Sequence, residues 1–168
     1  MKSTSKILCW LAISLLPTMP SLTQALQSDK NQPTYIEADS VEMDDGKGVS
    51  IYKGSVVMTQ GSIRFNADKV VVTQRTDKAD QITATGTPVR FQQEMDDNAG
   101  MVKGRSKRVE YEADSEILYL INDAQLTQNK DTFTSDRITY DRAKAVVKAG
   151  ASAKGKERVR VTIGGAKR

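Results

Sequence analysis

The stretch Asn66-Ala67-Asp68-Lys69-Val70-Val71-Val72 decides how this chain reads, because it recurs in altered form at three other places. The copies are Glu37-Ala38-Asp39-Ser40-Val41-Glu42-Met43, Arg105-Ser106-Lys107-Arg108-Val109-Glu110-Tyr111 and Thr134-Ser135-Asp136-Arg137-Ile138-Thr139-Tyr140. Each runs from a small residue, usually through Asp, to a branched apolar residue and, two positions later, a large apolar one. Their third positions lie 29, 39 and 29 residues apart. Apolar residues at every second position mark a strand with one buried face. A second element recurs between the copies. Gly54-Ser55-Val56-Val57-Met58-Thr59-Gln60 corresponds to Asn122-Asp123-Ala124-Gln125-Leu126-Thr127-Gln128, with a degenerate version at Gly86-Thr87-Pro88-Val89-Arg90-Phe91. A unit of a few short strands cannot bury its own apolar face, so the units must stack or fold over one another.

Working outward, alternation extends from Val49 to Ile163, punctuated by turn residues such as Asp44-Asp45-Gly46, Gly61-Ser62, Asp114-Ser115 and Gln128-Asn129-Lys130-Asp131. The apolar parity slips by one at Gly54, near Asp68 and at Gly86-Thr87-Pro88. A slip would turn the apolar set to the wrong face unless a bulge or bend restores it, and Gly54 and Gly86 suit such a bend. Only residues 142–149 hint at a helical stripe. The chain therefore reads as all-β, with two sheets closing over a shared interior, since a flat sheet would leave its edges exposed.

Composition removes whole classes of chemistry. The 168 residues include 25 Lys+Arg, 21 Asp+Glu and no His, and the one Cys and one Trp are Cys9 and Trp10. Those two fall within a segment laid out as an export signal: Lys2 and Lys6, the apolar run Ile7 to Leu16, breakers Pro17 and Pro20, and Thr23-Gln24-Ala25 before a cleavage point. Residues 1–25 are thus expected to be removed, leaving one domain at 26–168. That domain holds no His, Cys or Trp, which excludes Cys/His zinc sites, thiol nucleophiles, disulfides and Ser–His–Asp catalysis. No metal, no cofactor and no catalytic residue is expected. Asp96-Asp97-Asn98-Ala99-Gly100 lacks the spaced ligands of a calcium loop and reads as a hairpin turn. Asp44/Asp45 and Asp96/Asp97, as neighbours in sequence, make poor facing carboxylate pairs.

Charge is unevenly placed. Residues 26–141 carry 14 basic and 20 acidic side chains, residues 142–168 nine basic and one acidic, and residues 26–60 three basic and six acidic. Opposite signs at the two ends read either as a solvated basic tail or as complementary surfaces that meet in successive copies. Nucleic acid is not expected as a partner, given the sparse aromatics and acidic body. The run Lys103, Arg105, Lys107, Arg108 reads as a solvated strand face or as a contact for phosphates.

Tyr52-Lys53-Gly54-Ser55-Val56-Val57-Met58-Thr59-Gln60-Gly61, Phe65-Asn66-Ala67-Asp68-Lys69-Val70-Val71-Val72-Thr73 and the Ala-Asp-x-Val repeats resemble the OstA-like family over roughly residues 33–163. The resemblance implies an elongated, twisted antiparallel β-jellyroll with an open apolar groove. It implies a periplasmic, non-enzymatic carrier that shields the acyl chains of lipopolysaccharide. It also implies partners: an inner-membrane-anchored jellyroll at the N-terminal edge, the jellyroll domain of an outer-membrane assembly barrel at the C-terminal edge, and head-to-tail self-association. By its length the chain is expected to be the soluble middle component, with little C-terminal extension beyond Ile163.

The family motif places Ile36, Phe91 and Tyr111 along the groove, alternation adds Ile51, Val56, Met58, Phe65, Val70, Val109 and Leu126 as inward-facing, and Thr34 is a further groove candidate. Each reads as core, lipid contact or both. Edge pairing is expected from Glu37, Asp39 and Val41 on the first strand, and from Arg158, Val159, Arg160, Val161 and Ile163 on the last. The other reading is a structural or carbohydrate-binding β-repeat module of the cell envelope. Such a module would present Trp or Tyr platforms, and the domain has no Trp.

Overall fold

The computed structural model describes residues 29–95, 100–150 and 158–164; the expected export signal, most of the Asp96–Gly100 turn and the basic stretch 151–157 lie outside the described residues. After a short 3-10 turn at Asp29–Asn31 come ten strands: β1 (Thr34–Glu37), β2 (Ser40–Asp44), β3 (Val49–Gln60), β4 (Ile63–Arg75), β5 (Lys78–Glu94), β6 (Met101–Glu112), β7 (Ile117–Gln128), β8 (Asp131–Asp141), β9 (Val146–Gly150) and β10 (Arg160–Thr162). They form one antiparallel sheet ordered β1-β3-β4-β5-β6-β7-β8-β10, with β2 also on β3 and β9 also on β8. The helical stripe suspected at 142–149 is absent. Residues 142–145 make a turn, and β9 sets Val147 and Ala149 against the core by strand alternation.

What makes a jellyroll of one sheet is a row of aligned irregularities. Register shifts fall between Lys53 and Val56, Asn66 and Lys69, Thr85 and Val89, Arg105 and Arg108, and Ile121 and Ala124. All three expected slip points carry a shift, but only the second and third change which positions face inward; on β3 Tyr52 and Val56, on either side of Gly54, face in with one parity. Those on β6 and β7 are hidden in sequence by the polar residues Lys107, Arg108, Asn122 and Asp123. At the two matching repeat elements the backbone turns left-handed in pairs: Gly54 (φ 83°) with Ser55 (φ 46°), and Asn122 (φ 62°) with Asp123 (φ 52°). Paired positive φ values swing a strand sharply while keeping its hydrogen bonds on both sides of the bend.

The row is a crease that divides the sheet into two leaves. The first leaf contains β2, residues 49–53, 69–73, 81–85, 108–112, 117–121 and 137–141, and β9. The second contains β1, residues 56–60, 63–67, 89–94, 101–106, 124–128 and 131–135, and β10. Beside the crease the buried residues are small, Ala67, Ser106, Ala124 and Ser135, because the leaves have least room there. Further out they touch through larger side chains. Gly104 of the second leaf has no Cβ, and one built there would come within 2.7 Å of Leu120 Cδ2 from the first leaf. Leu118, Leu120, Leu126, Ile138 and Tyr140 are sealed in the shared core, and each such side chain contributes roughly 1.5–3 kcal/mol by leaving water.

At the β3 corner an added Cβ on Gly54 would collide with the Asp39 side chain and hold a left-handed φ unsuited to an L side chain. Gly54→Ala is expected to lower stability by about 1–2 kcal/mol, read as a shift in the urea midpoint. An unchanged midpoint would show that the corner does not depend on this conformation.

Candidate functional site: the interior between the leaves and the sheet edges

The inward side chains form rows that cross the sheet. On the second leaf the register joins Ile36, Met58, Phe65, Phe91, Gly104, Leu126, Phe133 and Val161. The Phe65 and Phe91 rings pack with centroids 5.1 Å apart. On the first leaf one row joins Val41, Tyr52, Val70, Ala84, Val109, Leu120, Ile138 and Ala149, and its neighbour joins Met43, Ser50, Val72, Ile82, Tyr111, Leu118, Tyr140 and Val147. The middles of these rows are buried; of their ends, Ile36, Val147 and Ala149 are half-buried against the core and Val41, Met43 and Val161 are exposed. Val41 and Met43 are 54% and 61% exposed at one edge, and Val161 and Ile163 are 50% and 77% exposed at the other. An apolar lining thus continues past its own cover at both edges.

Towards the β1/β2 edge the leaves part around a concavity of about 700 Å³. Thr34, Ile36 and Gln60 line it from the second leaf; Met43, Tyr52, Val72, Ile82 and Tyr111 line it from the first; Asp45, Gln74 and Asp80 stand at its rim. Among the residues expected to line a groove, the structure brings together Thr34, Ile36 and Tyr111 here. Val56, Met58, Phe65, Val70, Phe91, Val109 and Leu126 are buried in the shared core. Ile51 is a correction. It pairs with Glu42 and Val71 in a row on the outer face, and its neighbours Ser50 and Tyr52 face in. The two-residue corner at Gly54-Ser55 leaves the parity of β3 unchanged: Ser50 and Tyr52 face in before it and Val56 and Met58 after it, so Ile51 faces out.

The concavity stops at a polar clasp that the sequence did not reveal. The Arg142 side chain, 3% exposed, bridges the far margins of both leaves. Its Nε donates to Gln93 Oε1 of the second leaf at 2.9 Å, and its Nη1 donates to Tyr111 Oη of the first at 2.6 Å. Glu116 lies 3.8 Å from Nη1 and Asp29 3.5 Å from Nη2. Asp29 in turn accepts from the Ser62 backbone N–H at 2.7 Å and the Ser62 hydroxyl at 2.8 Å, which ties the segment before β1 to the same place. Burial pushes the Tyr111 phenol above its usual value, with the Arg142 guanidinium pulling the other way. An Arg in a turn beside a Lys carries no sequence signal for burial; the contacts arise only when the leaves face each other.

At the sheet margins, β1 pairs with β3 through Thr34–Glu37 and β2 through Ser40–Asp44, so Glu37 and Val41 lie on an edge with Asp39 between the two strands. On the other side β10 pairs with β8 through Arg160–Thr162, and Arg158, Val159 and Ile163 flank it as exposed residues outside the ladder. This strand is shorter than the expected Arg158–Ile163, and β9 supplies the rest of that edge.

Removing the guanidinium leaves Asp29 and Glu116 without their cation and Gln93 without its donor. Arg142→Met is expected to cost about 3 kcal/mol, measured by equilibrium unfolding; a loss below about 0.5 kcal/mol, the range of ordinary surface changes, would show that the clasp does not hold the leaves.

Residues 35–146 match the family described as LptA/(LptD N-terminal domain) LPS transport protein. The chain is 37% identical over 166 residues to the lipopolysaccharide export system protein LptA of Haemophilus influenzae, covering 97% of this chain and 94% of that protein. It is 33% identical over 131 residues to the lipopolysaccharide export system protein LptH of Pseudomonas aeruginosa, covering 77% and 75%. The crystal structure of that LptH, described as the LptA-homologous periplasmic component of a conserved lipopolysaccharide transport device, superposes with a TM-score of 0.77 at 29% identity, covering 82% of this chain and 99% of that one.

Proposed function

This chain belongs to the LptA/LptD N-terminal-domain family of lipopolysaccharide transport proteins, and from that premise we propose that it is a periplasmic bridge component. It carries lipopolysaccharide from the inner-membrane export machinery towards the outer-membrane assembly machinery by shielding acyl chains between its two leaves. One observation carries this reading: the inward rows run from edge to edge, and the first-leaf rows emerge uncovered at Val41 and Met43 on one side while the second-leaf row emerges at Val161 on the other. A closed globular core would end in polar residues; a lining that must continue into a neighbour would not.

The physical demands of the task match the residues. Each CH₂ withdrawn from water is stabilised by about 0.8 kcal/mol, so a lipid needs continuous apolar cover. Movement along the path also requires that no polar group grip the chain. Between the leaves the rows are mostly Met, Leu, Ile, Val, Phe and Ala, with Ser50 and three tyrosines among them, and the polar clasp at Arg142 stands at the margin. The concavity bounded by Thr34, Ile36 and Tyr111 is the point of entry, and the buried members of the rows form the path when the leaves separate. No bond is made or broken, so the protein is a carrier and not an enzyme. Residues 1–25 serve as the cleaved export signal.

Transfer between proteins uses the edges. The unpaired sides of β1/β2 and of β9/β10 offer backbone groups for β-augmentation. The exposed acids Glu37, Asp39 and Glu42 at one edge and Arg158 and Arg160 at the other favour head-to-tail contact. An inner-membrane-anchored jellyroll meets the first edge, an outer-membrane jellyroll meets the second, and further copies can stand between them, since a contact of this kind does not close on itself.

A photocrosslinking residue at Ile36 is expected to capture lipopolysaccharide in cells, while the same residue at Ile51, on the outer face, is not. Capture at Ile51 alone would place the lipid outside the leaves and sink the reading. Val161→Pro removes a backbone donor from β10 and is expected to shorten oligomers measured by light scattering. Oligomers of undiminished size would remove β10 from the contact.

A further inference from the structure

The outer face of the second leaf carries cations that meet no anion among the described residues. Alternation turns Arg90, Gln92, Lys103, Arg105, Gln125 and Thr127 outward, while Phe91, Gly104 and Leu126 between them are buried. Arg90 lies directly across the strands from Arg105, and Gln92 across from Lys103. Arg64 stands next in the row, across from Gln92. Like charges in direct cross-strand register repel. Among the described residues, none of Arg64, Arg90, Lys103 and Arg105 is ion-paired. The neighbouring cations are spent elsewhere, Lys107 on Asp123 at 2.6 Å and Arg108 on Glu110 at 2.6 Å. Glu94, one row further out and opposite Met101, pairs with none of the four.

Those six outward residues surround a pocket of about 280 Å³ floored by Phe91 and Gly104. Every side chain at its rim donates hydrogen bonds: two guanidiniums, an ammonium, two amides and a hydroxyl. None is a carboxylate. The volume falls below the roughly 300–1,000 Å³ of drug-sized pockets and suits one tetrahedral oxyanion with part of its substituent. We propose that this pocket is a binding site for a phosphate group. Arg90 and Arg105 grip it from adjacent strands through planar, multi-donor forks, Lys103 supplies a point charge, and Gln92, Gln125 and Thr127 take the remaining oxygens. The site lies across the sheet from the interior, so it works independently of whatever the leaves enclose. Its phosphate is either a free ion or the phosphomonoester headgroup of a lipid presented at a membrane surface.

The test titrates the purified, isotope-labelled protein with inorganic phosphate against chloride at matched ionic strength, and follows its flotation with phosphatidylcholine vesicles with and without phosphatidic acid. Phosphate is expected to shift the Arg90 and Arg105 signals, and the Arg90→Ala/Arg105→Ala double variant is expected to bind about tenfold more weakly. Shifts with inorganic phosphate assign the free ion; flotation only with phosphatidic acid assigns the headgroup. Arg105→Glu is the second variant: it replaces a repelling pair by an attracting one, so it should lose the phosphate response and melt no lower than the parent. Absence of both responses, or responses that both variants retain, would overturn the proposal. Ile36→Asp, which acts between the leaves, should leave phosphate binding intact; this keeps a failure of the carrier reading separate from a failure of this one.

Discussion

Every long strand of this protein must bend at the same height, and that shared constraint is what the rest of the structure depends on. A sheet of this length with one apolar face would be an open, aggregation-prone ribbon. The crease avoids this by laying the face against itself. It requires backbone conformations that cost energy in isolation, the left-handed pairs Gly54-Ser55 and Asn122-Asp123. That cost is offset by burial of the row from Val70 to Ile138 against the row from Met58 to Leu126. Small residues beside the crease and larger ones beyond it let the leaves open outward like a wedge, which is how one sheet provides both a core and a concavity.

Closure is uneven along the molecule. In the middle, Leu120 fills the space left by Gly104 and the interior is sealed. Near β1 and β2 the leaves separate around Ile36, Tyr52 and Tyr111. Arg142 sits at the boundary between the two regimes. Its donors reach Gln93 on one leaf and Tyr111 on the other, and its charge is met by Asp29 and Glu116. A buried, fully engaged guanidinium holds a defined spacing, because its planar donors are satisfied in few arrangements. Polar bonding at the margin thus sets how far apolar surfaces stand apart inside.

The edges extend the same logic beyond one chain. Both keep unpaired backbone groups and both expose the ends of interior rows, so a neighbour that adds strands there also continues the lining. Hydrogen bonding and apolar burial then favour the same alignment. In the proposed head-to-tail contact, the charge difference between the first edge, with Glu37 and Glu42, and the last, with Arg158 and Arg160, would give that alignment a direction. The outer face of the second leaf follows other rules. Its Arg90–Arg105 opposition is a local cost that no ion pair among the described residues relieves.

By itself the sequence determined that the chain is all-β, that it is built of repeats, and where three of the bends fall, because a period of two and its slips are local properties of strands. The absence of His, Cys and Trp from the domain, and the opposed charges of its ends, were equally legible. The tertiary structure alone decided which side of each bend faces inward. Ile51 and Val56 read as sharing a face only if parity slips at Gly54, yet the two-residue corner there keeps the parity of β3 and leaves Ile51 on the outer face. The bends on β6 and β7 were hidden because polar residues occupy them and leave no apolar parity to slip. Arg142 could not be read at all: its partners at Asp29, Gln93, Tyr111 and Glu116 come from four separate elements, and only folding the sheet on itself brings them within reach of one guanidinium.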